Sequence, residues 1–265
     1  MKDVKWFTNQ VALVTEASGG LGAKIALELA KRDVQLILVA RNTTKLEQVA
    51  TECKSFTSKP IDIYSCDLTD DASVDKLLET LDELYKITMV INNAGLGYFK
   101  LAKDLSESEI SEMLQLNLNT LIKITQHFVP RFIEAKSGIF VNIASQAGKS
   151  ATAKSSVYSA TKFGVLGYSN ALRLELKPYG IHVMTVNPGP IATDFFDKAE
   201  PTGKYLEQLG AVVLDPVKVA GEVVKGIEKE KREVNLPKTM NFASKLNVLF
   251  PKIGDKLLGS IFNKK

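Results

Sequence analysis

Seven short runs rich in apolar and β-branched residues limit what this chain can fold into. They are Val11–Thr15, Gln35–Ala40, Ile61–Ser65, Met89–Asn92, Ile139–Ala144, His182–Asn187 and Glu233–Leu236. Most are too short for a helix and too continuously apolar for a strand with one wet face. Runs of that kind suit strands covered on both sides of a parallel sheet. Segments of helix length separate them. The first follows the turn Glu16–Gly22 and repeats apolar residues at Leu21, Ile25 and Leu29. A polar helix opens at Asn42-Thr43-Thr44, whose side chains can cap it. Others are expected over Asp70–Tyr85, from Ser106 to about Lys136 with Asn117 in an otherwise apolar face, from Tyr158 and Lys162 to Pro178, and over Pro216–Lys231.

Strands alternating with helices imply right-handed crossovers and a sheet with helices on both faces. The expected fold is a single-domain α/β Rossmann arrangement, doubly wound, with a mostly parallel seven-stranded sheet. No linker, repeat or low-complexity stretch interrupts it. Residues 1–240 read as the domain and 241–265 as an amphipathic extension. The segment Ile191–Leu214 has weak periodicity and reads as a mobile loop.

Composition narrows the function. A net charge of +4, from 34 basic and 30 acidic residues, is too mild to argue for nucleic acid. Cys53 and Cys66 suggest no disulfide framework and fit a reducing compartment. His127 and His182 show no metal-ligand spacing, so no metal site is expected. The N-terminal stretch lacks the apolar core of a signal peptide. The longest apolar run, near Val34–Ala40, is far short of the ~20 residues that cross a bilayer. The expected location is cytoplasmic.

Tyr158 and Lys162 are four residues apart, one turn of one helix face. A phenol with a pKa near ~10 is poorly matched to proton transfer at neutral pH. An ammonium beside it favours the phenolate and lowers that value. Ser145, delivered by the end of Ile139–Ala144, could hold the same substrate oxygen against the phenol. Together they could move a proton on and off a carbonyl or alcohol oxygen, although Tyr/Lys pairs on exposed helices are common. The surroundings add weight. Thr15–Gly22, Arg41, Asp67, Asn92–Gly95, Ser145 and Asn187–Thr193 all lie at the carboxyl ends of strands, where open α/β sheets bind ligands. Gly20 and Gly22 allow a phosphate to approach a helix N-terminus.

From about Thr8 to Pro237 the sequence resembles the short-chain dehydrogenase/reductases of the classical type. Thr15–Gly22 matches the cofactor turn, Asp67-Leu68 the adenine contact, and Asn92-Asn93-Ala94-Gly95 the central-strand motif. Asn117, Ser145, Tyr158 and Lys162 match the catalytic tetrad; Pro188-Gly189 with Thr193 matches the nicotinamide side. The resemblance implies hydride transfer between a nicotinamide dinucleotide and a carbonyl or secondary alcohol. Tyr158 would be the general acid/base, Ser145 would position the substrate oxygen, and Lys162 would bind the nicotinamide ribose and tune the phenol. The main chain at Asn117 would hold a relay water. Dinucleotide contacts are implied for Thr15, Ser18, Gly20, Leu21, Gly22, Asp67, Leu68, Asn93, Ala94, Gly95, Tyr158, Lys162, Pro188, Gly189, Ile191 and Thr193, with Asn93 mainly tying strands together.

Cofactor choice falls to the end of the second strand, where an acid selects NAD and a nearby Arg accommodates the extra phosphate of NADP. Ala40-Arg41 points to NADP, with NAD the alternative. One departure stands out: Glu16 replaces the first glycine of the cofactor turn. It supports an alternative reading as a catalytically weak dinucleotide-sensing or scaffold protein. The substrate is expected to be a small carbonyl or alcohol compound. Phe195, Phe196, Tyr205 and Leu206 suggest an apolar wall, or simply pack their loop. The resemblance also implies a homodimer or homotetramer. The extension, apolar at Phe242, Leu246, Leu249, Phe250, Ile253, Leu257, Leu258 and Ile261, suits an oligomer contact first, then a substrate lid, then a peripheral membrane contact.

Overall fold

The structure, a computed structural model, describes residues 4–200 and 210–252. All seven runs are strands: β1 (Val11–Thr15), β2 (Gln35–Ala40), β3 (Ile61–Ser65), β4 (Met89–Asn92), β5 (Gly138–Ile143), β6 (Ile181–Pro188) and β7 (Glu233–Leu236). They form one sheet in the order β3-β2-β1-β4-β5-β6-β7. Every neighbouring pair is parallel. The chain winds outward from β1 to β3, returns to the middle, and winds the other way from β4. A crevice therefore opens between the ends of β1 and β4.

The helices that position the site are α1 (Gly20–Ala30), α2 (Thr43–Lys54), α3 (Asp71–Leu84), α4 (Glu107–Leu114), α5 (Thr120–Ala135), α6 (Ser156–Leu176), α7 (Pro216–Glu228) and α8 (Lys238–Leu249). Alternate strand residues divide between two cores, which explains the continuous apolar runs. Ala12, Val14, Leu36, Leu38, Met89, Ile91 and Val141 face α1, α2 and α7. Leu13, Ile37, Val39, Val90, Phe140 and Val183 face α3, α5 and α6.

The region expected as one helix from Ser106 to Lys136 is continuous but not uniform. Ser106 starts it with a capping box to Glu109. Residues Gln115–Asn119 then form a π-helical turn between α4 and α5. The wider turn rotates the face that follows it, and Asn117 inside it is fully buried. In the 191–214 segment, Ile191 pairs with Leu214 and Phe195–Ala199 makes a short helix. Residues 201–209, including Tyr205 and Leu206, lie outside the described residues. In the extension, α8 ends at Leu249, just before Pro251; Ile253, Leu257, Leu258 and Ile261 lie outside the described residues. Phe242, Val248 and Leu249 on α8 are 65%, 71% and 70% exposed. Among the described residues no helix is long and apolar enough to cross a membrane. Both cysteines are buried thiols.

A line of buried amides and hydroxyls crosses the centre of the sheet. Asn92 Nδ2 donates to Asn142 Oδ1 at 2.9 Å and to Thr125 Oγ1 at 3.0 Å. Asn142 Nδ2 donates to Ser169 Oγ at 2.9 Å, which donates to the Val165 carbonyl at 2.7 Å. The line ties β4 and β5 to α5 and α6. An unsatisfied buried donor costs about 1–3 kcal/mol, more than the bond contributes when made. Asn142→Ala is therefore expected to lower unfolding free energy by about 2 kcal/mol in urea titration. A midpoint within error of wild type would show the line to be dispensable.

Candidate active site

Thr15 ends β1 with its hydroxyl turned toward β4. Its Oγ1 accepts from the amides of Asn93 at 2.9 Å and Ala94 at 3.0 Å, and donates to the Ile91 carbonyl at 3.3 Å. Asn93 Nδ2 answers by donating to the carbonyls of Thr15 at 3.0 Å and Glu16 at 3.2 Å. These bonds fix the crevice between the two strands. The next turn packs tightly: a Cβ at Gly22 would sit 2.3 Å from the Glu16 carbonyl oxygen. Gly20 has φ +53° and lies against Thr193. α1 starts at Gly19 with no side-chain cap, so its first amides are offered to the cavity beside it.

That cavity, of about 710 Å³, runs along the carboxyl ends of the strands. Of the residues expected at the site, Ser18, Gly20, Leu21, Arg41, Asn93, Gly95, Ser145, Tyr158, Lys162, Pro188, Gly189, Ile191 and Thr193 line it. Thr15, Gly22, Asp67, Leu68, Ala94 and Asn117 do not line it. Thr15 and Gly22 shape the turn, and Leu68 is buried with its carbonyl accepting from Thr120 Oγ1 at 2.6 Å. Asp67 Oδ1 accepts from the Thr69 amide and hydroxyl at 2.9 and 2.7 Å, which holds its carboxyl below the usual range.

At the other end, Ser145 leaves β5 in an extended conformation and accepts from the Ala147 amide at 3.0 Å. Its hydroxyl donates to the Pro188 carbonyl at 3.4 Å and, from beside the Tyr158 phenol, eases that group's ionisation. Lys162 Nζ donates to the Ile143 carbonyl at 2.9 Å and lies 5.8 Å from the centre of the Tyr158 ring. Gly95 makes room for it, since a Cβ there would lie 3.2 Å from Nζ and 3.3 Å from Asn117 Oδ1. Asn117 pairs with Leu96, accepting from its amide and donating to its carbonyl, each at 2.8 Å. A third bond, to Thr161 Oγ1 at 3.1 Å, joins the π turn to α6. Asn117 thus positions the Gly95 strand end rather than projecting its side chain into the cavity.

The expectation that the ammonium draws the phenol downward gives way to burial. Desolvation pushes Tyr158 up to about 12, with Ser145 as the smaller, opposing influence. Desolvation also brings Lys162 down to about 8. The lysine is tied to a main-chain carbonyl and not to the phenol oxygen, so its charge is spent elsewhere in this state.

Phe195 and Phe196, read from the sequence as wall candidates, line the cavity; several other wall residues carry no linear signal. Phe99 stacks edge-on to Tyr158 with ring centres 5.6 Å apart, and Phe195 lies 5.8 Å from the same ring. Gln146, Met240 and Ala243 also line the cavity. Met240 and Ala243 come from α8, which Lys149 Nζ helps to seat by holding Glu233, Asn235 and Asn241 at 2.6, 2.7 and 3.2 Å. Among the described residues no group of acidic, histidine or cysteine side chains could hold a metal ion.

The uncapped start of α1, with Arg41 and Lys45 beside it and a buried amine farther along, fits an elongated anionic cofactor. Comparisons with known proteins agree. Residues 10–203 match the family model described as short chain dehydrogenase. A mouse protein named dehydrogenase/reductase SDR family member 7 is 34% identical over 197 residues, 72% of this chain and 58% of that one. The chain therefore matches little more than half of that relative's length. Ketoacyl reductase HetN from a Nostoc strain is 33% identical over 86% of this chain and 78% of its own. Among solved structures, a short-chain dehydrogenase from Sphingobium yanoikuyae in complex with NADPH has a TM-score of 0.81. It is 27% identical, covering 94% of this chain and 95% of its own. A bulky-bulky ketone specific alcohol dehydrogenase from Comamonas testosteroni has a TM-score of 0.79 and 26% identity, with coverage of 92% and 94%.

Burial of Lys162 has a consequence for stability. Between about 8 and the ordinary lysine value of 10.5 the unfolded lysine holds a proton that the folded one has lost. Stability therefore rises with pH across that window, and the full penalty applies below it. Lys162→Met is expected to be more stable than wild type at pH 7, by roughly 3 kcal/mol. The difference should close between pH 8 and 10.5. Tyr158 is present in both proteins, so its own titration largely cancels. A stability difference that stays flat from pH 7 to 10.5 would contradict a buried, strained ammonium.

Proposed function

Because the chain belongs to the short-chain dehydrogenase family, we propose that it is an NADP(H)-dependent oxidoreductase acting on a ketone or secondary alcohol. One observation carries the reading: Ser145, Tyr158 and Lys162 line the same cavity as Arg41 and the uncapped start of α1. A nicotinamide dinucleotide held there would supply or accept the hydride. The first amides of α1 would hold its pyrophosphate, and Arg41 would meet the 2′-phosphate. Asn93 and Gly95 would border the adenosine half, with the contact implied for Asp67-Leu68 coming from outside the present lining. Lys162 would bind the nicotinamide ribose, while Thr193 and the Ile191 main chain would hold the carboxamide. Ser145 Oγ fixes the substrate oxygen, and Tyr158 Oη gives it a proton in reduction or takes one in oxidation. The Asn117 region carries the proton path toward solvent.

The resting site favours reduction in one respect. A phenol pushed up to about 12 is protonated at neutral pH, which is the state a proton donor needs. The printed names of the Nostoc ketoacyl reductase and the Comamonas ketone-specific enzyme support a carbonyl substrate. Phe99, Phe195 and Phe196 lie within 6.4 Å of one another, centre to centre, beside Tyr158 and favour an apolar one. The proposal includes a cytoplasmic homodimer or homotetramer, supported by exposed Phe163 and Leu174 on α6 and by the buried thiols. A second reading, a dinucleotide-sensing protein with weak turnover, is favoured by Glu16 alone.

A screen of NADPH oxidation over bulky ketones, aldehydes, quinones and 3-oxoacyl thioesters tests the proposal. No turnover with any class would favour the sensing reading. With a substrate in hand, Tyr158→Phe keeps the ring and removes the transferable proton. It is expected to lower kcat by roughly 10²–10⁴-fold while leaving the Kd for NADPH within about twofold. Retention of more than about a third of kcat would remove Tyr158 from the proton transfer.

A further inference from the structure

Glu16 stands where the resemblance calls for glycine, and its φ is 49°. This is the left-handed region, which a residue with a Cβ occupies at a cost. The side chain is not turned out to solvent. It lines the cavity together with Ser18, Gly20, Arg41 and Lys45. Three charged groups from other elements bear on its carboxyl: Arg41 beyond β2, Asp67 beyond β3, and Lys198 in the short helix Phe195–Ala199. Lys45 and Asp194, 3.8 Å apart, also border this mouth. Among the described residues the Glu16 carboxylate has no hydrogen bond or ion pair of its own. Burial is the strongest influence on it and raises its pKa; Arg41 pulls the other way.

We propose that Glu16 sets the dinucleotide preference of this cavity. With the carboxyl neutral, Arg41 is left to take a 2′-phosphate. With the carboxyl ionised, Glu16 competes for Arg41, repels the phosphate and accepts from ribose hydroxyls, which only the unphosphorylated dinucleotide offers as a pair. The selectivity of NADPH over NADH then falls as pH rises. Because the carboxyl's pKa is raised, the change falls above the ordinary carboxylate range. Arg41 alone would give the opposite trend, since a phosphate monoester gains its second charge near pH ~6 and binds a guanidinium more tightly above it. The proposal rests on the dinucleotide reading above.

The test measures Kd for NADPH and NADH by calorimetry at pH 5.5 and 8.5, at constant ionic strength. Full-length wild type, Glu16→Gln and Glu16→Gly are compared, each first shown folded by circular dichroism. Glu16→Gln keeps the Cβ and the left-handed turn but cannot ionise; Glu16→Gly removes both. Both variants share the phosphate's own titration with wild type. In wild type, the ratio of NADPH to NADH affinity is expected to fall relative to that of Glu16→Gln between the two pH values. In both variants it should hold or rise. The gap between wild type and Glu16→Gln at pH 8.5 should reach about tenfold, equivalent to ~1.4 kcal/mol. Parallel ratios in wild type and Glu16→Gln would overturn the proposal while leaving the dinucleotide reading intact. A gain only in Glu16→Gly, equal for the two dinucleotides, would assign the effect to backbone strain and also overturn it. Folded protein binding neither dinucleotide in any form would overturn the dinucleotide reading and this proposal with it.

Discussion

The bonds between Thr15 and Asn93 hold the two halves of the cavity in register. β1 and β4 lie side by side, but the chain leaves them in opposite directions, and their last peptide groups have no further strand to pair with. The Thr15 hydroxyl accepts from two of those amides, and the Asn93 amide donates to two carbonyls across the gap. Buried main-chain groups left without such partners cost about 1–3 kcal/mol each. Everything downstream takes its position from this junction. The glycine turn enters α1 on one side. On the other, Asn93–Leu96 brings Gly95 beneath Lys162 and offers Leu96 to Asn117.

Burial governs the chemistry of the other half. Tyr158 and Lys162 are both nearly closed to solvent, at 8% and 3% exposure, and desolvation favours the neutral form of each. That moves the phenol up and the amine down, away from the zwitterion that a simple Tyr/Lys pairing suggests. Among the described residues it is Ser145 that pulls the phenol back. The resting pair is thus a protonated acid beside an amine with a weakened hold on its charge. An anionic partner in the cavity would restore the ammonium by ordinary Coulomb attraction. The protonation of the pair and the filling of the cavity are coupled for that reason.

Strands were legible because both faces of the sheet are covered: a doubly buried strand must be apolar at consecutive positions, and few other structures demand that. Ser145, Tyr158 and Lys162 were legible because strand ends and helix turns fix where those side chains emerge. The π turn at Gln115–Asn119 was not, since its sequence keeps ordinary helical periodicity and the bonds from Asn117 to Leu96 join residues 21 apart. The resemblance counts Thr15, Asp67 and the main chain at Asn117 among site groups, and the side chains of all three serve neighbouring main-chain or hydroxyl groups. A sequence match transfers position more reliably than it transfers what the side chain touches. For Glu16 the pattern exposed a misfit. Only the backbone angle and the three charged neighbours give that misfit a physical content.

The walls contributed by α8 follow from a different kind of constraint. Gly189 follows β6, and its amide donates to the Leu236 carbonyl at 2.6 Å. A Cβ at Gly189 would stand 2.8 Å from Met240 Sδ and 3.1 Å from the Pro237 ring. The Pro188-Gly189 turn and the start of α8 therefore share one close contact. Lys149, four residues after Ser145, grips β7 and Asn241 at the same time. Asn247 adds a bond to Ser150 Oγ at 3.3 Å. Three features that sequence treats as separate are thus braced against one another: the serine turn, the Pro188-Gly189 turn and the C-terminal helix. Met240 lines the cavity and packs beside Gly189, so a substitution that moved it would bear on both. Substrate shape and cofactor placement are not independent variables in this fold.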